Sequence, residues 1–223
     1  DELSESAVSR EHQILVGQDG LVTIAGGKLT TYRRMAAEVV DTAVRLIELG
    51  GHDLELAPAR TAKQPLPGAV GWPANDDHAR VAEQARAAGE PHVPEDVARH
   101  LADTYGMRGL ELARLVQREP ALGARLVEGR PEILAQVDWA IDEELAATVC
   151  DVMIRRTQLF YRDRDQGLGC LARVADRMAE RLGWDEATRT REIERYRAEV
   201  GVSRAWRREI PPDERPTSPA ASA

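Results

Sequence analysis

The residues best suited to chemistry lie together in the segment GLVTIAGGKLTTYRRMAAEVVD, which runs from residue 20 to residue 41. An apolar run leads into Gly26 and Gly27, and Lys28 stands just before an amphipathic helical pattern. Glycines at such a bend let a ligand approach the backbone, because they carry no Cβ. The first amides of a helix attract negative charge, and Lys28 adds a full positive charge. The segment therefore predicts contact with an anion, or with a group that becomes anionic.

This motif is short and does not identify its ligand. The phosphate-binding pattern GxxxxGK[ST] is absent from the sequence. A tight strand-to-helix turn with a solvent-exposed lysine would give the same residues, with Thr30 or Thr31 capping the helix. Both interpretations place a strand before the glycines and a helix after them.

The composition is that of an ordinary globular protein. Hydrophobic residues make up 43% of the chain and aromatic residues 4%, so aliphatic side chains from helices must fill the core. A net charge of −8 argues against a nucleic-acid partner, which would require a basic surface. No apolar run approaches the ~18 residues that a membrane span needs. We therefore expect a cytoplasmic location.

The side chains that could bind a metal show no ligand spacing. Cys150 and Cys170 lack the CxxC arrangement and predict two reduced, buried thiols. The histidines are scattered, and none forms an HExxH motif. We therefore expect no metal site.

Turn signals and periodicity divide the chain into a short β-rich start and a helical remainder. The runs at 13–16 and 21–25, separated by GQDG, predict two strands. An apolar stripe from Thr31 predicts a helix that ends at the glycines of LGG, residues 49–51. Prolines and glycines at 52–75 predict a connector. Further helices are predicted at 76–89, 94–104, 108–118, 131–162 with a break near Asp142, 168–182 and 186–200.

Several motifs, in order along the chain, resemble one family. SREHQILVGQDGLVTIAGGKLTTYRRMAAEVVD, residues 9–41, resembles the last FAD-domain segment of FAD-dependent glycerol-3-phosphate dehydrogenases and the related α-glycerophosphate oxidases. TAKQPLPGA, residues 61–69, resembles the link into their C-terminal helical domain. DWAIDEELAATVCDVMIRRTQLFYRD, residues 138–163, resembles the central helix of that domain, and MAERLGWDEATRTREIERY, residues 178–196, its closing helix pair.

The resemblance implies a mainly α fold. A small β-hairpin plus helix would be the remnant of an FAD-binding domain, and an all-helical C-terminal domain would follow it. The implied division assigns residues 1–50 to the incomplete FAD-binding and substrate domain, 51–75 to a linker and 76–205 to the helical domain. Residues 206–223 have the composition of a disordered tail.

The resemblance also implies FAD as the cofactor and glycerol 3-phosphate as the substrate. Lys28 would lie where flavin and substrate meet, and Arg10 would grip the substrate phosphate through its guanidinium fork. These two are the candidate catalytic and substrate-binding residues. The helix start would stabilise negative charge that develops on the flavin when it is reduced. Five consecutive residues would contact FAD: Gly26, Gly27, Lys28, Leu29 and Thr30.

The implied activity is oxidation of sn-glycerol 3-phosphate to dihydroxyacetone phosphate, with FAD as hydride acceptor and a quinone as electron acceptor. Two alternatives stay open. One is an oxidase that passes electrons to oxygen, and the other is a non-catalytic helical module for interaction or homodimerisation. The GxGxxG segment that holds the ADP half of FAD is absent from this sequence. We therefore expect a C-terminal portion that alone neither retains FAD tightly nor turns over substrate.

Two charged clusters have both a structural and a functional interpretation. Asp151 and Arg155 have the i,i+4 spacing of a helical ion pair, and Arg156 is expected to find a carboxylate partner among residues 142–144. SRAWRRE, residues 203–209, could contact anionic headgroups and hold the protein peripherally at the inner membrane face.

Overall fold

The computed structural model describes residues 11–53 and 56–208 of the chain. The chain divides into a first unit, Asp1–Leu66, and a helical unit, Pro67–Ala223. The predicted tail at 206–223 begins inside a 3-10 turn, Ala205–Arg208, and its residues 209–223 lie outside the described part.

An antiparallel hairpin begins the first unit. Strand β1, His12–Val16, pairs with strand β2, Val22–Gly26, and Ile14 stands opposite Ile24. Gly20 closes the intervening turn with a φ of +81°, which favours glycine because it has no Cβ. The predicted hairpin is confirmed.

One long helix, α1, follows the hairpin and spans Tyr32–Leu49. It ends at Gly50, in the LGG segment that predicts the stop. None of the described residues of the first unit is buried, which fits the small apolar area that a two-stranded ribbon and one helix can cover. Many of its large apolar side chains are exposed: Leu15, Val16, Leu21, Leu29, Tyr32, Val40, Ile47, Leu49 and Leu56.

The helical unit builds its core from short helices. Its α-helices are α2 His78–Ala88, α3 Glu95–Tyr105, α4 Gly109–Arg118, α5 Ala135–Asp142, α6 Leu159–Arg162, α7 Leu171–Leu182 and α8 Glu186–Ser203. One hydrophobic cluster joins α5, α7 and α8, and another joins α3, α4 and α5. The predicted mainly α fold with a small β element is therefore confirmed.

Helix α7 shows how the sequence pattern becomes core. Leu171, Val174, Ala175 and Met178 repeat at three- and four-residue spacing and are all buried. Gly183 ends the helix with a φ of +68°, the left-handed conformation that is common just beyond a helix end.

The break that the sequence predicts near Asp142 in the segment 131–162 is found, since α5 ends at Asp142, and the chain forms two further helical pieces after it. After α5, Leu145 adopts a φ of +57°. A new helical segment then begins at a reciprocal cap, in which the Thr148 amide donates to Asp151 Oδ2 and the Asp151 amide donates to Thr148 Oγ1. Its main part, Asp151–Arg156, is π-helical. The pattern TVCD at 148–151 is the missed sequence signal for this helix start.

Candidate functional site

The glycine turn connects β2 to α1 through two positive φ angles, +81° at Gly26 and +83° at Gly27. A Cβ on Gly26 would lie 2.7 Å from the Glu11 carbonyl oxygen, and a Cβ on Gly27 would lie 2.5 Å from Met35 Sδ. Both glycines are therefore favoured by the chain itself, independently of any ligand, through the positive φ at each position and, at Gly26, through a clash with backbone. Access for a ligand is a further consequence of the same geometry.

A short 3-10 turn, Leu29–Thr31, precedes α1 and is closed by Thr31. The Thr31 hydroxyl accepts from the Lys28 amide at 3.3 Å and donates to the Lys28 carbonyl at 2.9 Å. The threonine thus closes the turn back on Lys28 and does not cap the first amides of α1.

The leading amides of this turn have no acceptor in the part of the chain that the structure describes. The N–H groups of Leu29 and Thr30 form no hydrogen bond with any part of the chain that the structure describes. Leu29 is 88% exposed, and Lys28 and Thr30 are exposed as well. Free amides beside an ammonium group are the donors that an anionic group would require.

A polar trio fixes the hairpin against α1. His12 Nε2 on β1 lies 2.6 Å from Glu38 Oε2, and Arg34 Nε donates to Glu38 Oε1 at 2.7 Å. The hydrogen bonds from Arg34 and His12 hold the pKa of Glu38 below its ordinary value. The contact between His12 and Glu38 was not predicted, because the two residues lie on different elements and are separated by 26 positions.

The exposed donors of the turn fit one edge of a flavin. The free amides of Leu29 and Thr30 and the ammonium of Lys28 fit the anionic edge of such a group, and they lie on an open surface. The turn is therefore suited to form one wall of a site, and the first unit supplies no buried lining among its described residues. Five predicted site residues, 26–30, are consecutive on this turn, whereas Arg10 lies outside the described residues.

The helical unit uses its charged residues to bind one another. Arg155 Nη1 lies 3.0 Å from Asp151 Oδ1, as the i,i+4 spacing predicts. Arg156 donates to the Glu144 carbonyl at 2.7 Å, and its Nε lies 3.6 Å from Glu144 Oε2. The partner that the sequence places among residues 142–144 is therefore Glu144.

Both cysteines are buried and free, and burial raises the pKa of each thiol, to about 11 for Cys170. Over the described ranges, no three His, Cys, Asp or Glu side chains are grouped so that they could hold a metal ion. The thiols therefore belong to the core.

The described helices include none that is both long enough and apolar enough to cross a bilayer. In the SRAWRRE segment, Arg204 Nη2 lies 3.2 Å from Asp165 Oδ1, so this arginine is engaged with the helical unit. Trp206 is 50% exposed.

The fold is shared with a flavoenzyme of known structure. The X-ray structure of glycerol-3-phosphate dehydrogenase from Bacillus halodurans, complexed with FAD, matches 85% of this chain with a TM-score of 0.62 at 25% identity. The match covers 37% of the Bacillus chain. This likeness indicates the class of protein, because the chain shares the architecture of the corresponding part of that FAD-binding dehydrogenase.

The sequence comparisons give the family. Residues 59–189 match the family described as the C-terminal domain of alpha-glycerophosphate oxidase, and the chain belongs to this family. The mitochondrial glycerol-3-phosphate dehydrogenase of Mesocricetus auratus is 35% identical over 192 residues, covering 84% of this chain and 25% of the relative. Glycerol-3-phosphate dehydrogenase 2 of Mycobacterium bovis is 35% identical over 195 residues, covering 87% and 32%. The chain thus spans about a quarter to a third of the length of these relatives.

Proposed function

We propose that this chain is the C-terminal portion of an FAD-dependent glycerol-3-phosphate dehydrogenase. The observation that carries the proposal is the 35% identity to a curated dehydrogenase across 84% of the chain. The whole enzyme oxidises sn-glycerol 3-phosphate to dihydroxyacetone phosphate, and FAD, when bound, accepts the hydride. A quinone then takes the electrons.

The chain's own residues contribute to binding and to charge. Gly26 and Gly27 leave backbone space, and the amides of Leu29 and Thr30 donate to the anionic edge of the cofactor. Lys28 would lie where cofactor and substrate meet and would hold the substrate through its ammonium group. Arg10 binds the substrate phosphate with a bidentate fork. Preorganised donors of this kind act where negative charge develops, which is where they lower a barrier most.

The test is a Lys28→Gln substitution in the full-length protein, with Lys63→Gln as its matched control. Lys28 and Lys63 are the two lysines of the sequence, and Lys63 lies exposed after the first helix. We expect Lys28→Gln to lower kcat/KM for glycerol 3-phosphate by about 100-fold, the scale of losing one charge-stabilising donor, and Lys63→Gln to change it little. Equal kcat/KM values for the two variants would show that Lys28 is not part of the site.

The chain alone should neither retain FAD nor turn over substrate, because its described residues supply one open wall of the site. Purification of the isolated chain followed by a visible absorbance spectrum checks this proposal. A flavin band that persists through gel filtration would contradict it.

Two other functions remain testable. The family description favours an oxidase, which would release hydrogen peroxide from the full-length protein in air, whereas a quinone-linked dehydrogenase would not. The separate core of the helical unit favours a role as an interaction or homodimerisation module. Light scattering of the chain tests that role, because a monomer would exclude a dimer held by this unit alone.

A cytoplasmic enzyme at the inner membrane face would contact the surface through the end of the helical unit. Val202 is 75% exposed and Trp206 50% exposed, which supports a peripheral contact. Co-sedimentation with anionic vesicles tests it. Binding that is unchanged by Trp206→Ala, and by Arg207→Glu with Arg208→Glu, would exclude this contact.

A further inference from the structure

A groove of about 710 Å³ opens on the helical unit beside α3. The face of α3 that carries His100 and Thr104 forms one wall, and Pro131 and Arg162 form the other. The function proposed above does not use these residues. Buried polar groups lie directly behind both walls, so the groove has an internal framework.

The first part of this framework leaves a positive charge in the groove. Glu132 is fully buried, and Arg130 holds it with two bonds, Nε to Oε2 and Nη2 to Oε1, each 3.1 Å long. Arg162 Nη1 lies 3.8 Å from the same carboxylate, beyond hydrogen-bond distance, and its side chain is 46% exposed. Because Arg130 already neutralises the negative charge of Glu132, Arg162 is a second cation beside the same carboxylate. Its guanidinium is therefore available to an anion in the groove.

The second part orients a neutral donor. Gln136 is fully buried, and its Oε1 accepts from the Ile133 amide at 3.0 Å, so its Nε2 must be the end that faces His100 Nε2 at 3.2 Å. An amide nitrogen only donates, so His100 Nε2 accepts and the ring proton lies on Nδ1. Burial lowers the pKa of His100, which favours this neutral form.

The proton on His100 Nδ1 is only weakly engaged. The Thr104 hydroxyl lies 3.4 Å from Nδ1, close to the limit of a hydrogen bond. The histidine N–H and the threonine O–H are thus two donors on the same wall of the groove. They face the space that Arg162 borders on the other side.

The carboxylates at the groove each have a basic partner. Asp96 lies 2.7 Å from Arg125, Glu95 lies 3.5 Å from Arg99, and Asp103 lies 3.1 Å from His78 Nδ1. The pair with Arg125 holds the pKa of Asp96 below its ordinary value. The arginines offset the negative charges of Asp96 and Glu95, whereas the contact of Asp103 is with an imidazole. Arg162 is left as the cation whose carboxylate is already matched.

We propose that this groove binds a small dianionic oxyanion, the phosphate group of a phosphate monoester or inorganic phosphate itself, through Arg162, His100 and Thr104. A guanidinium fork matches a phosphate with two parallel bonds, and neutral N–H and O–H donors complete its shell. Buried Glu132 and Gln136 act as positioning residues, since they fix the arginine and the histidine tautomer. The proposal does not depend on the dehydrogenase function, because it concerns binding without turnover.

Calorimetric titration of the full chain with inorganic phosphate tests this site, in about 0.15 M KCl so that unspecific attraction is screened. We expect saturable binding that Arg162→Gln weakens at least tenfold, or about 1.4 kcal/mol. Thr104→Val should weaken it by about three- to tenfold, the effect of one lost hydrogen bond. Arg191→Gln, which removes an exposed arginine of α8, is the matched control and should leave binding unchanged.

Lys28→Gln separates this site from the glycine turn. If Lys28→Gln abolishes phosphate binding and Arg162→Gln does not, the anion binds at the turn and the proposal is overturned. It is also overturned by unsaturable binding, or by equal losses in Arg162→Gln and Arg191→Gln. Nitrogen NMR of the His100 ring gives a local readout, since bound phosphate should shift Nδ1 while the control variant retains the shift.

A second titration distinguishes the two sources of the phosphate group, a phosphate monoester and inorganic phosphate. Titration with phosphoglycolate, a small monoester, is compared with titration by inorganic phosphate under the same conditions. Tighter binding of the monoester identifies a phosphorylated metabolite as the ligand, and equal binding identifies the free ion. A monoester that binds with no sensitivity to Arg162→Gln would contradict the proposal.

Discussion

At the scale of single residues, buried carboxylates hold the helical unit together across long sequence distances. Asp138 on α5 is 2% exposed and accepts from Arg177 Nε at 2.7 Å and Nη2 at 2.5 Å, both from α7. Arg181 adds a third contact at 3.3 Å. A buried charge pair of this kind is costly to break, because the remaining partner cannot recover its lost hydration.

We predict that Asp138→Ala lowers the free energy of unfolding by about 3–5 kcal/mol, since it leaves the Arg177 guanidinium without its buried partner. The matched control is Glu180→Gln, which removes an exposed carboxylate from the same arginine at 2.9 Å. That control should cost less than about 1 kcal/mol. Urea unfolding followed by circular dichroism measures both values, and equal losses would show that burial is not what matters.

At the scale of elements, the ends of helices are set by close backbone contacts and by caps. Gly106 ends α3 with φ +61° and ψ −136°, a conformation open to glycine. A Cβ there would lie 2.3 Å from the Gly68 carbonyl oxygen, so the turn at Pro67–Ala69 packs backbone to backbone against it.

Gly106→Ala should therefore destabilise the helical unit by at least about 3 kcal/mol, through backbone strain together with a clash that no side chain can relieve. Gly129→Ala is the control, because Gly129 also has a positive φ of +71° but has nothing within 4 Å of the added Cβ. We expect about 1–2 kcal/mol there. Thermal unfolding of both variants checks the difference, which should be absent if positive φ alone sets the cost.

The cap formed by Thr148 and Asp151 makes the stability of the folded chain depend on pH. Burial acts to raise the pKa of Asp151, but hydrogen bonds from the Thr148 hydroxyl and the amides of Ala147 and Thr148 outweigh it, so the pKa lies below its ordinary value. The folded state thus binds this proton less well than the unfolded state. The stabilisation is fully present above the unfolded pKa of about 3.9 and is lost as pH falls through the lower folded pKa.

Asp151→Ala should accordingly cost about 1–2 kcal/mol at neutral pH, and this difference from the parent chain should shrink as the pH falls below about 4. Glu199→Ala, at an exposed position of α8, serves as the control and should show no such pH-dependent loss. Urea unfolding at several pH values gives the comparison. A cost that stays constant down to low pH would mean that the carboxylate charge does not contribute.

At the scale of the whole molecule, the two units differ in how they are stabilised. The helical unit has clusters of buried hydrophobic residues, and some of these residues are fully buried, such as Leu112 and Met153. In the first unit, no described residue is buried, and the hairpin and α1 are joined by the His12–Glu38 contact at 2.6 Å. Burial of apolar area is the dominant favourable term in folding, so the two units should differ in stability.

We therefore predict that amide hydrogens of α1 exchange at least about 100-fold faster than those of α7 in the isolated chain, because local opening of α1 exposes little apolar surface. Hydrogen exchange measured by mass spectrometry resolves the two helices. Equal protection of α1 and α7 would show that the first unit is stabilised by contacts other than burial.

The sequence by itself determined those features that depend on near neighbours along the chain. The GQDG turn, the stop at Gly50 and the apolar stripe of α7 follow from local sterics and helical periodicity, so they could be predicted without a fold. The strand-to-helix turn at residues 26–30 was predicted from its neighbours as well, whereas its contact with a cofactor follows from the family resemblance and stays a prediction.

Only the tertiary structure decided which polar residues meet. Asp138 finds Arg177 across 39 positions, and Gln136 finds His100 across 36. The groove at Arg162 likewise depends on contacts between separate helices. No local pattern encodes such pairs, because they form when packing removes water from groups that are distant in sequence.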